Sequence, residues 1–224
     1  MVVENTNQAF PREYRLVLLG SPGAGKWTFI TKLIGYRSCF QDLEDIIPRF
    51  EESHRKQCVI DDEVALLDVQ PVYDTIPEFY PGWFGSVDGY IILYSIASRK
   101  SFEAVSAIYE RIRNASGGFS CNILLAGNKS DLEIEREVST EEGRALAESL
   151  GAVFFEVSAK ADIYIDWSVY ALVRRIRRPD GPRVAKKEND KKEKEGQDEA
   201  EGRRKHSFRA ASAWVVNKVI KRGN

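Results

Sequence analysis

Apolar residues follow two rhythms along this chain. Four runs are almost continuous: Tyr14 to Leu19 (YRLVLL), Gly89 to Tyr94 (GYIILY), Asn122 to Ala126 (NILLA) and Val153 to Val157 (VFFEV). Unbroken runs of this length predict strands covered on both faces. Gln57 to Ile60 and Val64 to Val69 also read as strands, with Asp61-Asp62 between them as a hairpin turn. A helical period fits Lys26 to Ile34, Ser101 to Arg113, Thr140 to Leu150 and Asp162 to Ile176. Ser139 followed three residues later by Glu142 marks a capped helix start. Buried strands alternating with helices predict an α/β domain, residues 14–178, built on a mostly parallel sheet with helices on both faces.

The pattern stops at Pro179. Residues 179–202 hold only Val184, Ala185 and Ala200 as apolar side chains, among six basic and eight acidic ones, and are expected to form a charged, disordered linker. Residues 203–224 are basic and amphipathic, and residues 1–13 read as a flexible extension. Charge follows the same divisions. The net charge of −1 over 224 residues argues against a protein that coats nucleic acid, but 203–224 carry seven Lys or Arg and no acid, leaving −8 on residues 1–202. Cys39, Cys58 and Cys121, with His54 and His206, have neither disulfide nor zinc spacing. With no signal-peptide or membrane-spanning stretch, the expectation is a cytoplasmic protein with reduced thiols.

Chemistry first appears after the first strand. Gly20-Ser-Pro-Gly-Ala-Gly25-Lys26 joins that strand to the first helix, the context of a Walker A loop. There, backbone N–H groups and the helix N-terminus face an anion, and Lys26 adds a point charge. The next residue should be Ser or Thr, whose hydroxyl holds Mg²⁺. Here it is Trp27, and Thr28 lies about 100° further round a helix. Asn128-Lys129-Ser130-Asp131 and Ser158-Ala159-Lys160 follow two later strands, so both loops belong at the carboxyl edge of the sheet, where such folds bind ligands. A carboxylate there can accept from both N1–H and the exocyclic amine of guanine.

With these residues together, the chain from Tyr14 to Arg178 resembles the Ras branch of the small GTPases, as a divergent Ras- or Rheb-like member. ESHRKQ before the hairpin and DGYIILYSIASRKSFEAV across the next strand and helix extend the resemblance. It implies a Ras-like P-loop NTPase fold with a six-stranded sheet and guanine nucleotide, GTP or GDP, as ligand. It also implies signalling proteins as partners at the switch I and switch II equivalents. Gly20, Gly23, Gly25, Lys26 and Thr28 would then line the phosphates. Asn128, Lys129, Asp131, Ser158, Ala159 and Lys160 would surround the base.

The departures gather at the metal and γ-phosphate end. Pro22 removes a donor from the loop, and Trp27 replaces the first Mg²⁺ ligand. Arg49 stands where the resemblance places the switch I threonine. Without a gap, Pro71, Asp74 and Thr75 fall where Asp, Gly and Gln of Asp-x-x-Gly-Gln are expected; aligned on Asp68, Asp68-Val-Gln-Pro71 keeps the Asp and still lacks the glycine, and no glycine occurs between Gly35 and Gly82. These changes argue against Mg²⁺ and against a catalytic set, so a pseudo-GTPase is expected. A divergent switch with slow hydrolysis and a nucleotide-free adaptor stay open. Trp27 either fills the space of the metal or packs outside the pocket, and Arg49 either reaches the phosphates or faces solvent. Asn128 and Lys129 also have a structural reading, as ties between the phosphate loop and its neighbours. Phe40 is the candidate neighbour of the base.

Two surfaces complete the expectation. Glu51-Glu52-Ser53-His54 lies where the effector strand should be, either open to a partner's strand or a protected edge. Residues 71–85 are rich in aromatic side chains, suited to a packed loop or to a partner patch. The prenylated cysteine box of Ras proteins is missing, as no cysteine follows Cys121. The segment 203–224, with Phe208, Ala211, Val215 and Val219 at helical spacing, is the candidate for contact with an anionic inner membrane surface.

Overall fold

A computed structural model describes residues 11–35, 54–72, 87–117 and 121–178. The residues Phe40, Arg49, Glu51, Glu52, Ser53, Asp74 and Thr75 lie outside the described residues, as do the linker and the basic segment. Six strands are present: β1 (Arg12–Gly20), β2 (His54–Ile60), β3 (Glu63–Pro71), β4 (Gly89–Ser95), β5 (Ile123–Asn128) and β6 (Val153–Glu156). Four helices join them: α1 (Lys26–Ile34), α2 (Arg99–Ala115), α3 (Thr140–Leu150) and α4 (Ile165–Arg177). The strand order is β2-β3-β1-β4-β5-β6, with only the β2–β3 pair antiparallel. The mostly parallel sheet is therefore as the sequence pattern implies.

Side-chain alternation sorts the core into two layers. Leu16, Leu18, Ile91, Leu93 and Leu124 turn to one face, where Phe29, Ile30 and Leu33 of α1 and Val169, Leu172 and Val173 of α4 cover them. Val17, Leu19, Ile92, Tyr94 and Leu125 turn to the other, against Val105 and Ile112 of α2 and Ala147 of α3. The strands of the middle of the sheet are buried on both faces, which is why they read as unbroken apolar runs.

Local chemistry sets the element ends. Asp61 and Asp62 have φ of 53° and 65°, the left-handed pair that a two-residue hairpin turn requires. Ser139 and Glu142 form the reciprocal capping box at the start of α3. Several expected boundaries are corrected. β1 begins at Arg12, within the segment expected to be a flexible extension, because Arg12 and Glu13 pair with Ala65 and Leu66 of β3. β2 begins at His54 and not at Gln57, and α2 begins at Arg99 and not at Ser101, because Ser98 caps it. Asn122 precedes β5, its carbonyl accepting from Tyr90 N–H at 2.9 Å. The last helix begins at Ile165 and not at Asp162, because Ser158 and Ile163 bridge the loop ends while Asp162 and Tyr164 take left-handed φ. No helix among the described residues is long and apolar enough to cross a membrane.

Candidate nucleotide site

In this topology β1 has β3 on one side and β4 on the other; the connection leaving β1 runs to β2 on the β3 side, and the connection leaving β4 runs to β5 on the opposite side. A crevice opens outside the carboxyl end of a strand placed in this way. The loop from Gly20 to Gly25 lies there. Gly20 has φ +153°, and a Cβ on it would come within 2.3 Å of the Leu93 carbonyl oxygen. Gly25 caps α1 at φ +92°, and its Cβ would meet Asn128 Nδ2 at 2.4 Å. Both positions demand glycine, for backbone conformation and for close approach together. Gly23 also has positive φ, at +79°, but no atom stands within 4 Å of where its Cβ would be. Pro22 is exposed.

Lys26 is buried, and its ammonium donates to Gly20 O at 2.6 Å and Ser21 O at 3.3 Å. The side chain thus runs back along the loop it would serve. Trp27, half-buried, leaves α1 in another direction. Its ring meets the His54 imidazole at the start of β2, centroids 6.0 Å apart and planes at 66°. Thr28 is half-buried on the same helix. On the neighbouring strand Pro71 is buried and in register with Leu18, and Val72 N–H continues the pairing by donating to Leu18 O at 2.9 Å.

The base-side residues converge from two strand ends. β5 and β6 are parallel neighbours, so the loops after Asn128 and after Glu156 lie side by side. Asn128 is buried, its Nδ2 donating to Ala24 O at 2.8 Å and its Oδ1 accepting from Ala159 N–H at 3.0 Å. One side chain therefore joins the phosphate loop, the NKSD loop and the SAK loop. Ser158 Oγ donates to Asp131 Oδ1 at 2.5 Å and accepts from Ala161 N–H at 3.0 Å. The hydroxyl fixes the carboxylate, whose several lone pairs suffice for Ser158 and for two base donors besides. Lys129 sits at φ 66° with its Cε 4.0 Å from the Gly25 Cβ position, over the loop, and Lys160 is exposed. This donor and acceptor set fits a guanine nucleotide.

The family model described as "Ras family" matches residues 15–178, which run from β1 to the end of α4. The chain belongs to the Ras family. A Ras-like protein of Laccaria bicolor is 44% identical over 174 residues, 75% of this chain and 80% of that relative. This Ras-family protein is thus a Ras-like small GTPase of the signalling class, and membership implies guanine-nucleotide binding. The Asn128–Ala24 bond bears out the structural reading of Asn128 as a tie to the phosphate loop. One feature of the site had no sequence signal: the Trp27–His54 contact joins residues with no motif in common.

Proposed function

We propose that this Ras-family protein holds guanine nucleotide through its base-reading loops and Lys26 but lacks an efficient Mg²⁺-dependent hydrolytic cycle, and that it signals through protein contacts. The observation that carries the reading is the pair of side chains at the metal end. Trp27 offers an indole where a hydroxyl would bind the ion, and Pro71 offers neither carboxylate nor N–H at the end of β3. Magnesium is a hard cation that takes oxygen ligands, so this donor set does not fit it, and nucleotide binding is expected to be weak and independent of Mg²⁺. Without the ion, the charge that develops on transfer of the γ-phosphoryl group loses its main neutralising partner.

The test is chemical. Purified protein is heated, and released nucleotide is identified by chromatography. Bound GDP or GTP with no Mg²⁺-stimulated turnover supports the reading, while measurable Mg²⁺-stimulated turnover overturns it. Protein that releases no nucleotide and takes up none would instead be an adaptor that keeps the fold as scaffold. The Ser158–Asp131 bond, which holds the carboxylate at the mouth of the base-side loops, is what supports nucleotide binding over the adaptor.

Partner contacts at the switch I and switch II equivalents belong to this proposal, as does a position at the inner membrane surface through residues 203–224. Deleting residues 203–224 should abolish co-sedimentation with liposomes rich in anionic lipid, each basic residue near such a surface contributing about 1 kcal/mol. Equal binding by the shortened protein excludes that role.

A further inference from the structure

We propose that Trp27 and His54 act as a clasp that fixes the site-facing end of β2 against α1, whichever nucleotide the phosphate loop carries. Trp27 and His54 are then positioning residues, and the start of β2 is insensitive to the number of phosphates bound. The inference deepens the function proposed above, and rests on it only in treating the metal as dispensable.

Three observations converge on it. The first is direction. Lys26 points back along the phosphate loop, and Trp27, the next residue of the same helix, is turned about 100° from it and reaches β2. The edge-on geometry with His54 is an attractive arrangement for two π systems. The second is position. His54 is the first residue of β2, paired in register with Val69, and the ladder runs from there to Ile60 and Glu63. Further along, Arg55 is held by Asp68 at 3.3 Å, and Lys56 Nζ reaches Asp166 Oδ1 of α4 at 2.6 Å. Among the described residues β2 is the edge strand, paired on one side by β3, so a contact from another element adds a restraint the ladder does not supply, and Trp27 provides one.

The third observation concerns the adjacent strand. Where a switch is driven by nucleotide, its segments are ordered by the γ-phosphate and its Mg²⁺ and released when these are lost. In this protein the residue after the phosphate-loop lysine touches β2 through its own ring. The end of β3, buried Pro71 followed by Val72, is held by the backbone of β1. Both strand ends facing the phosphate site are thus fastened by contacts that need neither metal nor phosphate.

Amide hydrogen exchange on the full chain tests this. In the wild-type protein, the amide of Lys56, which faces β3 in the antiparallel ladder, should exchange at rates within about twofold of each other with GDP or GTPγS, with or without Mg²⁺. Trp27→Ala should speed exchange there by about tenfold, the effect of losing one aromatic contact that limits local opening. His54→Ala should do the same from the other side, and Trp27→Phe should restore protection to within about threefold. Exchange in β5 should stay constant in every variant, which separates local release from general loss of stability. The proposal is overturned if Trp27→Ala and His54→Ala leave the Lys56 amide unchanged, or if GTPγS protects it in the wild-type protein where GDP does not. Nucleotide retained by each sample is measured by chromatography. Failure to load therefore counts against the proposed function alone, while the variants, compared without added nucleotide, decide the clasp.

Discussion

The two ends of the nucleotide crevice are built from different material. At the base end, polar side chains are buried and satisfied: Asn128 spans three loops, and Ser158 holds Asp131. At the metal end, the corresponding strand and helix termini present an indole and a proline ring, and they are joined to their neighbours by ring contact and backbone pairing. The difference lies in what each residue does for the fold. Asn128 is needed by the protein whether or not a base is present, because three backbone segments depend on it. The Asn128 side chain therefore has a structural task besides any contact with a base, so its presence alone says little about hydrolysis.

The comparison breaks most directly at Asn128. Replacing it with Ala leaves Ala24 O and Ala159 N–H buried without their partner, and each orphaned group costs about 1–3 kcal/mol. A loss of about 3 kcal/mol in urea unfolding is expected, even for protein stripped of nucleotide. If Asn128→Ala changes only nucleotide affinity and leaves unfolding of the stripped protein alone, the structural role assigned to the base end is wrong. Gly25→Ala should have a comparable cost, since its φ of +92° and the 2.4 Å approach to Asn128 Nδ2 both oppose a Cβ.

Ser158→Ala sharpens the contrast at lower amplitude. The variant loses the bonds to Asp131 and to Ala161 N–H, for about 1–2 kcal/mol of stability. The freed carboxylate should also bind guanosine diphosphate more weakly, read by titration calorimetry. Equal affinity would show that the Ser158 hydroxyl does not orient Asp131.

How much of this was legible beforehand varies with the range of the interaction. The sheet was readable because doubly buried strands are continuous apolar runs, and the α1 and α3 limits came from glycine and capping-box signals that act within a turn. The start of α4 was not, since a helical period continues through Asp162 and Tyr164 while the Ser158–Ile163 bridge, a tertiary feature, holds those residues out of the helix. At the site, the loops could be placed from strand and motif order. Which way Trp27 turns could not, because the answer depends on His54 across the sheet edge.

Acid offers a graded way to probe the base end, whose outer support is ionic. Arg99, at the start of α2, donates to Glu142 Oε1 at 2.7 Å and to the Glu137 carbonyl, steadying the chain between the NKSD loop and α3. The Arg99 guanidinium, with help from Ser139, holds the Glu142 carboxyl down to about 2 from its ordinary 4.5. A carboxyl depressed on folding stabilises above its unfolded value, and that contribution disappears as the pH falls from about 4.5 through 2. The thermal midpoint should therefore decline over this interval, and Arg99→Gln should flatten the decline. Because Glu142 is exposed, the shift is expected to be small. An identical pH profile in the variant would remove Arg99 from the account.

The smallest expected effect is at the other end, and it is the most informative. Trp27→Ser restores a hydroxyl at the position after Lys26, the single change that would most resemble a repair. Yet the end of β3 would still present Pro71, paired to Leu18, and Val72 N–H would still be committed to Leu18 O. An oxygen on α1 alone gives an ion one side-chain ligand and leaves water unpositioned. GTP turnover in excess Mg²⁺ should consequently stay within about threefold of the wild-type value, less than 1 kcal/mol on the barrier. A gain of about a hundredfold would mean that the remaining ligands are already in place, and that Trp27 by itself separates this protein from a working GTPase.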